Sequence, residues 1–365
     1  MLDALIAKFN SNRKTIFSAL EIICAIVYLF IMAYGFSRPL RDAVGLMTGN
    51  SIIVITLYFS VFYTLYFIFS LPLKYFQNLA YIRANSFVEW LQVVSKKEIS
   101  VFFVMFFVVQ VIYFFLETDV FWWWMPVSFL CIASLYTWEL APKYLATLFF
   151  KAKALAPSAF KQRLIELAAL GDMKVIEVFS LAYAKSEVVF IGQSPERKLI
   201  LSEKIMAYSP EEIEILVARE TAEHYYGHIR FKLIIQALVI LLSFFIVNFV
   251  FKPTANYFGF EFIFDIETLP VLTGILYIVF VLMSLIQNHY LRSMVEQSDM
   301  YVLKATQAPA AFISLLFRQQ DNENKQTINY FSSRILNGSI SDIKRITCAQ
   351  DYAQAMALKE KGKQK

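Results

Sequence analysis

Histidine and cysteine are scarce in this chain, with three of each among 365 residues. The cysteines are Cys24, Cys131 and Cys348. No C-x-x-C occurs and the first two lie in apolar runs, which argues against a disulfide framework or a thiolate-held metal. Glycine and proline number ten each. There is no Gly-rich phosphate loop. Both residue types fall mostly outside or near the ends of the apolar runs, so the broken mid-membrane helices of a secondary transporter are not expected. Charged residues make up 17%, against about 25% in ordinary soluble proteins. The formal charge of +5 does not call for nucleic acid, because membrane proteins gather Lys and Arg on one side. Ser, Cys and Lys form no recognisable nucleophile–base arrangement.

Apolar and aromatic residues fill the gap. The chain is 58% hydrophobic, with 36 Phe and 20 Tyr, where a soluble domain has about 45–50% apolar residues. Six runs are long and apolar enough to cross a bilayer as helices: Thr15–Phe36, Ser51–Leu73, Ile99–Leu116, Trp122–Leu140, Leu233–Phe251 and Leu269–Ile286. The first run is too long for a signal-peptide core and no small-residue cleavage site follows, so it is expected to be retained. Lys8, Arg13, Lys14, Lys74, Arg83, Lys96 and Lys97 fall on one side of these spans, with the Lys- and Arg-rich segments 141–231 and 290–365. The other side has Arg38, Arg41 and Lys252 against Asp42, Glu117, Asp119, Glu261, Asp265 and Glu267. The positive-inside rule then places both termini and both large polar segments in the cytoplasm. Three consecutive tryptophans at 122–124 suit an outer interfacial belt. Glu21, in the first turns of the first span, is read as snorkelling to the interface.

The expected organisation is a membrane domain of four helices (1–145), a cytoplasmic segment (146–232), two further membrane helices (233–289), a second cytoplasmic segment (290–346) and a basic, solvated tail (347–365). The two cytoplasmic segments would join into one cap. Lys161–Leu170 reads as a helix, and Lys174–Ser180, Glu187–Ile191 and Lys198–Leu201 as short strands, with Gly192 and Ser194-Pro195 as a turn. Ser209-Pro210-Glu211-Glu212 is a strong helix start: a capping Ser, Pro at the first helical position and acid in the first turn. That helix is expected to pass through Glu220 and His228 and on into the fifth span.

On this helix, Arg219-Glu220-Thr221-Ala222-Glu223 occupies the frame of H-E-x-x-H. In that motif two His four residues apart share a helix face and reach one zinc, and the Glu takes a proton from the metal-bound water. Glu220 stands in the general-base position. Glu223 could ligate zinc, but Arg219 cannot, because a guanidinium keeps its protons and has no lone pair to offer. A plain surface ion pair would look the same in sequence.

With its six spans, its insert and this helix start, the chain resembles the type-1 CAAX prenyl endopeptidases and their bacterial HtpX-like relatives, which are membrane zinc metallopeptidases. The likeness runs from about residue 50 to 346. It rests on "SLPLKYFQNLAYIRANSF" at 70–87, "ELAPKYLATLFFKAKAL" at 139–155, "YSPEEIEILVARETAEHYYGH" at 208–228 and "NHYLRSMVEQSDMYVLKA" at 288–305. These keep the Ser-Pro-Glu-Glu start, Glu220, Gly227 and His228, and then Asn288, Arg292 and Asp299. The resemblance implies a mainly α integral membrane protein. Its six transmembrane helices would form a barrel-like bundle, capped by a cytoplasmic metallopeptidase-like α+β domain with a small sheet. It also implies where a zinc site would be, and there the sequence departs. The two His positions hold Arg219 and Glu223, and the third ligand, a Glu, falls on Val295, with Glu296 one residue off. The substrate-binding strand pair falls on Glu187 and Val188, and the late His-Pro on Ser339-Ile340, ahead of Arg345-Ile346.

Two functional readings follow. In the first the chain is a pseudopeptidase with no metal cofactor. It would bind membrane lipid and a membrane-embedded or lipidated client or partner subunit, and not nucleic acid, with Arg219–Glu223 as a pin where the zinc was. In the second it is an active endopeptidase with a displaced zinc on His224, His228 and His289. His224 and His228 are four apart, and His228 and His289 would sit roughly 8–9 Å to the membrane side of the lost site. However, the 224/228 pair faces about 140° away from 219/223, and no Glu lies between the two His.

Overall fold

The computed structural model describes residue 17 and residues 20–77, 86–149, 153–181, 188–191, 196–325 and 342–363. It is mostly helical, with one small sheet. Helix α1 is Leu20–Gly45, α2 Ser51–Gln77, α3 Phe87–Thr118 and α4 Trp124–Phe149. Then come β1 (Lys153–Ala154), α5 (Ala159–Ala169), β2 (Lys174–Leu181), β3 (Val188–Ile191) and β4 (Glu196–Ser202). They are followed by α6 (Pro210–Tyr225), α7 (His228–Tyr257), α8 (Leu269–Thr306), α9 (Pro309–Lys325) and α10 (Asp342–Lys363).

Among the described residues, five helices are long and apolar enough to cross a membrane: α1, α2, α3, α7 and the continuous run Ile266–Thr306. The sixth predicted span coincides with α4, whose side chains are described as far as Thr137 and supply the shorter apolar stretch Trp124–Thr137. The helices outrun the spans read from hydropathy. A capping box of Ser86 and Glu89 starts α3 twelve residues before Ile99. Its 32 residues measure about 48 Å, well beyond the roughly 30 Å of a hydrocarbon core. Lys74, Lys96 and Lys97, read from sequence as loop charges, therefore lie inside α2 and α3.

The chain divides into two compact units, with boundaries inside α4, α7 and α8. The first holds α1–α3 and the apolar parts of α4, α7 and α8. Its core is aromatic, with Tyr58, Tyr113, Trp123, Phe251 and Phe260 almost fully buried. Between apolar helices in lipid there is little hydrophobic force, so close packing and polar contacts hold them together. Tyr113 Oη meets Thr268 Oγ1 at 2.9 Å. Lys74 Nζ donates to Glu98 Oε1 at 2.6 Å, and Tyr63 Oη to Glu98 Oε2 at 2.8 Å.

The second unit carries the sheet, in the order β1-β2-β4-β3. β2 and β4 are parallel, while β1 on β2 and β3 on β4 are antiparallel. Helix α6 starts as the sequence predicts, with Ser209 and Glu212 forming a capping box and Pro210 in the first turn. It is buried on two sides. Ile213 and Val217 join α5 and the sheet in one core, while Ile215 and Ala218 join α8, α9 and α10 in another. A helix held between two cores has little freedom to shift or rotate. Glu212 adds a polar tie, since its carboxylate is 2% exposed, accepts from Ser314 Oγ at 2.8 Å and pairs with Arg318 at 3.3 Å.

Two expectations fail here. Helix α6 does not continue into the fifth span. It ends at Tyr225, Gly227 takes φ +69°, and α7 begins afresh at His228. Glycine adopts that left-handed conformation without the Cβ clash other residues suffer, so Gly227 ends the helix as a C-terminal cap does. The tail also differs, because Asp342–Lys363 is helical and buries Ala349 in the second core. Small and apolar residues at helical spacing hold its first turns, and the helix carries on into the basic run, where Lys359 is exposed.

Candidate functional site

The degenerate motif projects from α6 toward α8 and α10. Arg219 Nε lies 3.9 Å from Glu223 Oε1, with the two side chains 30% and 37% exposed. This is an ion pair at the limit of contact. The expected pair is present, and a second, shorter ion pair lies beside it. Asp299 of α8 accepts from Arg345 Nε at 2.7 Å and from Arg345 Nη2 at 2.8 Å, a two-pronged geometry. Both side chains are nearly sealed, at 5% and 10% exposed. The Arg345 guanidinium also lies over the Phe312 ring, 5.6 Å from its centroid. Partial desolvation, and next the like charge of Arg345, push the pKa of Arg219 below its ordinary value, against the opposing pull of Asp299, Glu223 and Glu220. Arginine stays protonated all the same.

Val295 is half-buried on α8, and the neighbouring Glu296 turns to the surface and pairs with Lys344. The three positions where the resemblance puts zinc ligands thus offer one carboxylate, an isopropyl group and a guanidinium, with the Arg345 guanidinium and the Glu220 and Asp299 carboxylates close by. A divalent cation needs several lone-pair donors and no fixed positive neighbour, so these residues do not fit it.

The alternative ligands are not brought together either. His224 Nδ1 lies 2.6 Å from Arg197 Nη1 of β4. A guanidinium only donates, so Nδ1 accepts and the proton sits on Nε2, which faces Glu220 Oε1 at 3.5 Å. The would-be general base thus lies against a histidine on its own helix. His228 is buried, with Nδ1 at 3.1 Å from Ser298 Oγ and Nε2 at 3.2 Å from Gln297 Oε1, and it stacks on Tyr226. His289 is exposed. Among the described residues no three of His, Cys, Asp and Glu gather around a metal-sized space.

The other predicted positions follow. Val188 opens β3, pairs with Leu201 and is buried. Glu187, Ser339, Gly192 and the 194–195 turn lie outside the described residues. Asn288 is buried with its Oδ1 unpartnered, and Arg292 is exposed. Among the described residues β3 is an end strand of the sheet, and Phe190 on it packs edge-on against His224, linking strand to motif helix. Sequence reasoning missed Arg197 as the partner of His224. It noted Arg345 only as a motif residue, although Asp299 and Arg345 were both in view and of opposite charge. It also missed the Lys74–Glu98–Tyr63 cluster, whose one signal was a Lys-Lys-Glu run placed in a loop.

Apolar helices long enough to span a membrane, together with a compact unit in which a Ser-Pro-Glu-Glu helix packs beside a small sheet, make a multi-pass membrane protein with a mixed α+β unit. The crystal structure of S. mikatae Ste24p has that fold. It superposes with a TM-score of 0.68 over 94% of this chain and 88% of that one, at 16% identity. The fold is therefore Ste24-like. No protein-family model and no curated protein matches the sequence.

Proposed function

We propose that the chain is a metallopeptidase-fold membrane protein that has lost its metal and binds a client without cutting it. The observation that carries this reading is the set of residues at the zinc position: Arg219 and Glu223 in loose contact, Val295 in the third place, and the Arg345 charge alongside. The client is a membrane-embedded or lipidated protein, or a partner subunit. β3 supports the binding half of the reading. It is an end strand that bears the substrate-strand position Val188 and packs against α6 through Phe190, and an extended segment can add to such an edge through backbone hydrogen bonds. In this reading Glu220 is a vestigial base, while Asn288, Arg292, Asp299 and His228 serve the fold. The protein sits in a bacterial inner membrane, HtpX-like in plan, with its termini and peptidase-like segments in the cytoplasm, as the Lys and Arg bias supports.

Metal analysis of the purified full-length chain tests this. Zinc well below one equivalent, with thermal stability unchanged by chelator, is the expected result. Stoichiometric zinc that is lost in His224→Ala would overturn the proposal in favour of a displaced catalytic site. The combined variant Arg219→His, Glu223→His and Val295→Glu is expected to gain zinc. If it folds and binds none, the register of the motif is wrong.

A further inference from the structure

The first unit contains a half-open cavity of about 730 Å³ between helix ends. The last turns of α1 and α3, the first turns of α2 and the turn leading into α8 line it. Three of these elements are ends of runs long and apolar enough to cross a membrane, and the fourth leads into another at Ile266. Its charged groups are Asp42, Glu117, Asp265 and Arg41. Arg41 reaches Asp42 at 3.3 Å and Asp265 at 3.5 Å, both long contacts, and remains 41% exposed. Glu117 accepts from Ser51 through Oε1. Three carboxylates thus face one guanidinium across a cavity whose walls include Ile55 and Phe264. Leu46, which lines it, is 90% exposed, and the next residue in the chain, Met47, is 75% exposed.

We infer that this cavity holds the headgroup of a phospholipid with a primary amine, of the phosphoethanolamine type. The carboxylate excess attracts the ammonium, which can donate three hydrogen bonds. Arg41 suits the phosphate, since a guanidinium matches that geometry. The exposed Leu46 and Met47 meet the acyl chains, and this apolar rim favours a lipid over a soluble amino-phosphate. A choline headgroup carries charge but no N–H to donate. A glycerol headgroup brings a net negative charge with no amine, and the three carboxylates repel it. The volume is in the range of known ligand pockets. This inference rests on the membrane-spanning reading and is independent of the fate of the metal.

Native mass spectrometry of the full-length chain, released from micelles doped with ethanolamine, choline and glycerol phospholipids of identical acyl chains, tests it. Ethanolamine lipid is expected to be retained about tenfold over each of the others, the weight of a lost charge-assisted hydrogen bond. Glu117→Gln combined with Asp42→Asn is expected to abolish that preference, with an unchanged melting temperature showing that the variant folds. Equal retention of the three lipids by the wild-type chain would overturn the inference, as would a preference that survives in the folded variant. Displacement by free phosphoethanolamine at concentrations matching the lipid would overturn the lipid assignment in favour of a soluble amino-phosphate.

Discussion

Two arginine–carboxylate pairs lie within electrostatic reach of each other in the second unit, and they differ in every respect that governs strength. Asp299–Arg345 is bidentate, sealed and backed by a ring, and it joins α8 to α10. Arg219–Glu223 is a single 3.9 Å approach within one helix, a third open to solvent. The first keeps an Asp and an Arg that the sequence shares with the metallopeptidase pattern. The second fills positions where that pattern has histidines. The pair that ties helix to helix has good geometry, while the pair within the motif helix is at the limit of contact.

The largest expected effect comes from breaking the sealed pair. Asp299→Asn or Arg345→Met alone leaves its partner buried and unmatched, which costs about 3–5 kcal/mol. Replacing both at once, with Asp299→Leu and Arg345→Met, should recover most of that loss, because two apolar groups leave no orphan charge. Thermal or denaturant melting of the purified protein in detergent measures all three. Single variants as stable as the wild type would mean that the pair does no structural work.

An intermediate effect is expected on the far side of the motif helix. A Cβ on Gly171 would come within 2.4 Å of Thr221 Cγ2, so the turn after α5 meets α6 with no spare room. Gly171→Ala should cost about 1–3 kcal/mol through overpacking. Thr221→Ser removes the offending methyl and keeps the hydroxyl that donates to Val217 O at 2.8 Å, so the alanine should be much better tolerated in that background. Strictly additive effects would show that the close approach is not the cause. The motif helix is thus rigidly packed at its back.

The parts of this arrangement that were legible in the sequence were those written in local chemistry. Ser209-Pro210-Glu211-Glu212 announces a capping box, and α6 begins there. The alternation in 174–201 marks three strands, which end within about two residues of where they were expected. Partnerships across long stretches of chain were not legible. Arg197 with His224, Ser298 with His228, and Arg345 with Asp299 all depend on how elements pack, and their spacing in sequence carries no signal. Gly227 could have been read as a stop, but the long apolar run behind it favoured continuity. In the first unit the same limit hid Lys74 and Glu98, because hydropathy marks where a span becomes apolar and not where its helix starts.

The smallest expected effect is also the sharpest. The environment of Arg219 lowers its pKa, so the folded state disfavours its charged form relative to the unfolded chain. A neutral side chain of similar length should therefore cost little or even stabilise. Arg219→Met is expected to shift stability by under about 1 kcal/mol, and its coupling with Glu223→Gln in a double-mutant cycle to stay within the few tenths usual for exposed pairs four apart on a helix. The same Arg→Met exchange at position 345 should cost several times more. Equal losses at 219 and 345 would reverse the contrast, and Arg219 would then be the residue that took over the structural work of the metal.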